Sequence, residues 1–266
     1  MQNVISQMLP ARHLPTCRLC VTLKAMKEKV DIKTNLAHVR ERIAAAAQRA
    51  GRAPKEVTLV AVTKTHPAAV ARAAYQAGLR DLGENRVQEA DLKLSDLQEL
   101  NSRPDRPRWH MIGHLQRRKA RLAVALFDII HSVDSLRLAQ RINRVAEESD
   151  KVMPVLLEVN VSGEASKHGL GLSDKASFLA DVEQIVTLPH LQPCGLMTMA
   201  PIVSDPEQTR PIFVALRALR DELSARFPEA DWRELSMGMT DDLEVAIEEG
   251  ATMVRVGRAI FGSRGK

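Results

Sequence analysis

Apolar and polar positions along the chain switch repeatedly between helical spacing and short continuous runs. Residues 35 to 51, "NLAHVRERIAAAAQRAG", hold apolar positions at helical spacing and end on Gly51, a stop signal. After it come "VTLVAVTK", "DLGEN", "RWHMIGH", "DIIHSVDS", "MPVLLEVNVS", "PCGLMTMAP", "WRELSMGM" and "TMVRVGR", which predict eight strands. The stretches between them read as helices, among them "PAAVARAAYQAG", "RVQEADLKLSDLQEL" and "LQRRKARLAVAL". Another, "PEQTRPIFVALRALRDELSARF", carries Pro211 where it should interrupt or kink the helix. No helical pattern follows the eighth strand.

Alternation of this kind predicts an α/β fold, a parallel sheet closed as a (β/α)8 TIM barrel. Strand ends marked by Lys64, Gly83, Ile112, His131, Asn160, Met197, Ser236 and Val256 lie 19 to 39 residues apart, room for a crossover helix each time. A doubly wound open sheet is the alternative, but no G-x-G-x-x-G follows the first strand. Residues 31–266 read as one barrel domain and residues 1–30 as a leader.

The leader "MQNVISQMLPARHLPTCRLCVTLKA" is acid-free and holds two prolines. It reads as disordered, or as a misassigned start ahead of Met26, and a chain begun at Met26 is expected to fold and bind alike. Cys17 and Cys20 form a lone C-x-x-C there, with no further ligands at zinc spacing, so no metal site is expected. With Cys194 they make three cysteines, no disulfide framework.

Composition narrows the picture. Aromatics make up only 3% of the chain, so the core is expected from Ala, Val, Leu, Ile and Met. No apolar run approaches the length of a membrane span. The net charge of +5 falls to +2 once leader residues Arg12, Arg18 and Lys24 are subtracted, so no nucleic-acid footprint is read.

Two features carry chemistry. Lys64 ends the first apolar strand, facing the end of a barrel where active groups gather. A lysine reaching out to solvent explains it equally well when taken alone. "ELSMGMTDDLEVAIEEG" then runs from strand seven through a glycine turn into a helix, and strand eight ends in "VRVGRAIFG". Ser236, Gly238 and Gly257 could together hold an anion, provided Asp241 and Asp242 point away. A Schiff-base lysine beside a phosphate cradle suggests pyridoxal 5′-phosphate.

With these residues in view, "VAVTKTHP", "LGENRVQEA", "WHMIGHLQ", "HSVDS", "NVSGEASKHGL", "GLMTMAP", "LSMGMTDDLEVAI" and "MVRVGRAIFGSR" give the chain a resemblance, over about residues 31 to 264, to the YggS/PROSC family of pyridoxal phosphate homeostasis proteins. That family is similar to the barrel domain of fold-type III enzymes such as alanine racemase. The resemblance implies that Lys64 holds the cofactor as an imine with Asn85 beside it. It places Ser236, Gly238 and Gly257 around the phosphate and Arg255 against the pyridine nitrogen. A surface arginine, or a partner for Glu244 or Glu248, is the other reading of Arg255. Arg118 stands where the family has asparagine, ahead of Lys119.

The resemblance implies a pyridoxal phosphate-binding protein of vitamin B6 homeostasis, a cytoplasmic monomer. It would deliver its cofactor to apoenzymes and carry no catalytic residues of its own. A racemase needs a second base. The single tyrosine, Tyr75, is expected in the outer layer, and the chain stops after strand eight, so no carboxyl-terminal β domain is expected. The alternative is a fold-type III racemase using His110, His114 or Cys194, the histidines lacking a carboxylate partner. A Schiff-base aldolase is the third reading.

Overall fold

The structure, a computed structural model, describes residues 30–164 and 168–262. The leader reading, Val30 apart, and the Cys17–Cys20 pair lie outside the described residues. From Asp31 onward the chain forms one compact unit.

Its first helix, α1 (Ile32–Arg49), begins where the Asp31 carboxylate accepts the amides of Lys33 and Thr34, both at 3.1 Å. Such a cap is worth about 1 kcal/mol. Leu36, Val39, Ile43, Ala46 and Ala47 are buried, a stripe at helical spacing that packs on the rest of the domain.

The strands are β1 (Thr58–Val62), β2 (Asp81–Glu84), β3 (Arg108–Met111), β4 (Ile129–Val133), β5 (Met153–Asn160), β6 (Leu170–Gly171), β7 (Leu191–Met197), β8 (Glu234–Ser236) and β9 (Met253–Val256). All pairings are parallel. The ring β1-β2-β3-β4-β5-β7-β8-β9 closes where Thr58 pairs with Met253 and where β4 meets β5. This is the eight-stranded parallel barrel that the sequence predicts. The short β6 lies outside the ring, paired to the end of β5 (Val159 with Leu170), and was not foreseen.

The helices after β1 are α2 (Ala68–Gln76), α3 (Val87–Ser95), α4 (Gln98–Asn101), α5 (Ala120–Leu126), α6 (Leu136–Glu148), α7 (Lys175–Val186), α8 (Arg210–Arg226), α9 (Leu243–Glu248) and α10 (Arg258–Phe261). One expected helix divides, one is interrupted as expected, and one is added. The stretch 86–100 divides into α3 and α4. Pro211 interrupts its stretch rather than kinking it: a 3-10 turn (Pro206–Thr209) precedes α8, and the proline stands in the first turn, where no intrahelical donor is needed. The chain also forms α10 after the last strand, too short at one turn to show a period.

Side chains alternate along each strand. The inward face carries an apolar layer of Val60, Ile129, Leu156, Met197 and Met253. Two residues further along three of these strands stand buried polar groups, His131, Glu158 and Arg255, one layer nearer the mouth. Tyr75 is buried in the outer core as expected, with the Arg80 guanidinium 4.2 Å from its ring centre. No helix among the described residues is long and apolar enough to cross a membrane.

Candidate functional site

A cavity of about 510 Å³ opens at the carboxyl end of the barrel. Lys64, Asn85, Arg255 and Gly257, four of the six residues expected at a cofactor, line it together. They come from the ends of β1, β2 and β9. Val62, Ile112, Met199 and Ile202 supply apolar wall.

Lys64 sits one residue past Thr63, just beyond β1, and is half-buried. The next residue, Thr65, has φ +65°, left-handed backbone that strains a β-branched side chain by about 1–3 kcal/mol. The Glu89 carboxylate accepts the Thr65 amide and holds the turn. Behind it, Thr63 Oγ1 donates to Glu84 Oε1 at 2.6 Å, and the buried Lys93 ammonium donates to Thr63 O at 2.8 Å and to Glu84. Burial raises the Glu84 carboxyl above its ordinary range, opposed by Lys93 and Thr63. None of these supports was foreseen.

Arg255 is 5% exposed and not a surface arginine. Its two suggested partners are engaged elsewhere, Glu244 by Arg42 and Glu248 by Arg49 and Arg210. Its Nη1 donates to Ser236 Oγ at 2.6 Å and its Nη2 to Thr198 O at 2.9 Å. Full burial brings its pKa down to about 10, with Asp242 and Glu158 pulling the other way, so the guanidinium remains charged at neutral pH.

Ser236 does not line the cavity. Its hydroxyl also meets His131 Nδ1 at 2.9 Å; His131 Nε2 meets His110 Nδ1 at 2.9 Å, and His110 Nε2 meets Asp81 Oδ1 at 3.0 Å. The two ends fix the direction of this buried column, because a guanidinium only donates and a carboxylate only accepts. Arg255 donates to Ser236, Ser236 to His131, His131 to His110 and His110 to Asp81. His131 is held well below its ordinary pKa by burial, then by His110 and Arg255, which keeps it neutral as this order requires.

Gly238 also stands behind the cavity wall, at φ +89°, where an added Cβ would lie 2.5 Å from the Cβ of Ala246. At Gly257 a Cβ would come within 3.1 Å of Val62 O. A side chain there would need the β1 backbone to give by a few tenths of an ångström. Of the two acids that had to point away, Asp242 turns inward and accepts the Met239 amide at 2.6 Å. Asp241 does line the cavity, but Arg258 pairs with it and offsets its charge.

The substitute bases fall elsewhere. His110 is inside the column, and His114 lies beyond β3. Both have a carboxylate partner, contrary to expectation: Asp81 for His110, and Asp134 at 3.1 Å for His114. His114 also stacks on His168 with ring centres 4.0 Å apart. Cys194 packs with the inner apolar layer, and burial pushes its thiol up to about 12, far from a base at neutral pH. A titratable group at the cavity that the sequence did not single out is His66, ring to ring with Phe261 at 5.4 Å.

Glu158 lies on β5 with its Oε2 unpartnered among the described residues. Burial, then Asp134, pushes it up to about 7, while Arg255 opposes them. A carboxyl raised on folding favours the folded state in acid. That stability is lost, by up to about 3 kcal/mol, as pH climbs from the ordinary carboxylate range through 7. Glu158→Gln should therefore stabilise the protein at pH 8 and change little at pH 5. Urea denaturation at both values checks this, and equal effects at the two would remove the raised acid.

A family model, alanine racemase N-terminal domain, matches residues 34–265. The pyridoxal phosphate homeostasis protein of Escherichia coli K12 is 44% identical over 238 residues, 88% of this chain and 97% of the relative. That of Vibrio alginolyticus is 43% identical over 235 residues, 88% and 98% of the two chains. PipY of Synechococcus elongatus, solved with PLP bound, is 40% identical with a TM-score of 0.76, covering 87% of this chain and all of that one. Alanine racemase of Clostridium difficile, 13% identical with a TM-score of 0.68 over 89% of this chain and 60% of the other, shares the fold. The chain belongs to the alanine racemase N-terminal domain family and, within it, to the pyridoxal phosphate homeostasis proteins.

Proposed function

We propose that the protein binds pyridoxal 5′-phosphate in vitamin B6 homeostasis and hands it to apoenzymes. The observation that carries this is the meeting of Lys64, Asn85, Arg255 and Gly257 on one cavity. When bound, the cofactor supplies an aldehyde that an amine can capture and a ring able to withdraw electrons. The donor set fits it: an amine, an amide, a buried guanidinium, and glycine backbone at a close approach.

Lys64 is the covalent anchor, oriented by the Thr63–Glu84–Lys93 support. Asn85 would lie beside the cofactor. Arg255, a charged donor with no proton acceptor, would sit against the ring nitrogen and keep it unprotonated, leaving the electron withdrawal weak. Ser236 acts through Arg255, steadying it. Gly257 and the turn opened by Gly238 leave backbone for the phosphate. We place the protein in the cytoplasm as a monomer.

His66 and Asp241 at the cavity favour a second reading, an amino-acid racemase with one of them opposite Lys64. Chiral chromatography after long incubation with common amino acids separates the two. No racemisation, with activation of an apoenzyme by the loaded protein, is expected. Turnover that survives repurification and vanishes in Lys64→Ala would instead establish the racemase.

A further inference from the structure

A second cavity, about 420 Å³, lies on the outer helical layer and shares no residue with the barrel mouth. Arg117 and Arg118 reach it from a 3-10 turn (Arg117–Lys119), and Arg137, Gln140, Arg141 and Arg144 from α6. Arg137, Arg141 and Arg144 follow one another at four and three residues, so they share a helix face over about 10 Å. The 3-10 turn packs against α6, so guanidinium groups approach the groove from two elements.

Most arginines elsewhere among the described residues meet a carboxylate, Arg40, Arg86, Arg226 and Arg255 being the exceptions, and those four do not cluster. Arg42 meets Glu244, Arg72 meets Glu99, Arg106 meets Asp128, and Arg210 meets Glu207, Glu248 and Glu249. Even Arg121, on neighbouring α5, is paired with Glu148. Among the described residues none of the groove's arginines has a carboxylate partner. Arg118 donates to the Gln116 side chain at 3.2 Å. Gathering like charges in one concavity opposes folding, and an anion would reverse that cost.

We propose that this groove binds two or more linked phosphate groups. Arginine forks match phosphate oxygens two at a time. A single phosphate would leave most of the stripe unmet. No aromatic side chain lines the groove, so a nucleobase finds no stacking platform and the phosphates alone are read. Outside residues 1–25 the net charge is only +2, too little for a continuous nucleic-acid track. The groove also gives Arg118, at the family's asparagine position, a use that the cofactor cavity does not.

Calorimetry on protein saturated with pyridoxal phosphate, so that the mouth is filled, tests this in about 150 mM salt. The probe is inorganic tripolyphosphate, beside adenosine triphosphate, orthophosphate and a short DNA duplex. We expect one site for tripolyphosphate, with orthophosphate at least about tenfold weaker. Binding should weaken about tenfold or more in Arg141→Gln/Arg144→Gln, and likewise in Arg137→Gln should the double variant fail to fold. Arg226→Gln, away from the groove, should change nothing. Adenosine triphosphate binding as tightly as tripolyphosphate would identify a nucleotide's phosphates as one source; weaker binding would point to inorganic chains. No binding, equal binding of orthophosphate, tighter binding of DNA, or affinity unchanged in the groove variants overturns the proposal.

Discussion

Lys64→Ala should abolish both the yellow colour of the purified protein and the borohydride-fixed adduct on the peptide carrying residue 64. Lys64 is the only lysine lining the cavity among the described residues. The other lysine of that region, Lys119, belongs to the 3-10 turn after β3 and lines neither the cavity nor the groove beside it. Arg255 and Gly257 remain in the variant, so non-covalent binding should persist. It should be weaker by at least about tenfold, or 1.4 kcal/mol. Absorbance, equilibrium dialysis and peptide mass spectrometry together read the outcome. An undiminished adduct, or one that moves to Lys119 in the wild-type protein, would remove Lys64 as the anchor.

The largest effect on stability is expected at Lys93→Met. Lys93 and Glu84 are 4% and 0% exposed, and the ammonium is Glu84's cationic partner. Removing one member of a buried pair costs about 3–5 kcal/mol, since the other is left charged or forced to take a proton. Glu84 is already raised by burial, so without Lys93 it should protonate and the penalty should grow as pH rises. Adding Glu84→Gln should recover much of the loss by removing the stranded charge. Urea unfolding of the single and double variants measures it. A loss below about 1 kcal/mol would mean the pair does not support β1. Because Thr63 lies between this pair and Lys64, the single variant should also bind cofactor less tightly.

The barrel was legible because its period changes are wide and repeated, and because each strand end left room for a crossover. Lys64 was legible as a charge ending an apolar strand run, whereas Arg255 was reached only through the family resemblance. The buried column was not. His131 and Ser236 are 105 residues apart, and each looks in sequence like an isolated polar residue in a strand. Only barrel closure turns them to the same interior. Ser236 was therefore read as a phosphate contact on its hydroxyl alone, although that hydroxyl serves Arg255. Glu84 and Lys93 are nine residues apart, across the end of β2 and the body of α3, a spacing that no single-element period brings together. His66 escaped notice because its neighbour Lys64 supplied the chemistry sought there. The groove arginines were noticed only at Arg118, as a departure, since α6 reads as an ordinary solvated face until the 3-10 turn is folded against it.

The column from Arg255 to Asp81 also restricts how this sequence can drift over generations. Each interior member passes a proton donor in one direction, so a replacement is tolerated only if it both accepts and donates. Threonine can follow serine at position 236, whereas alanine or valine there strands His131 and one guanidinium arm together. Ancestral changes along this line should have arrived in blocks, with neighbouring strands altered in step, and a comparison of many relatives should show positions 81, 110, 131, 236 and 255 covarying.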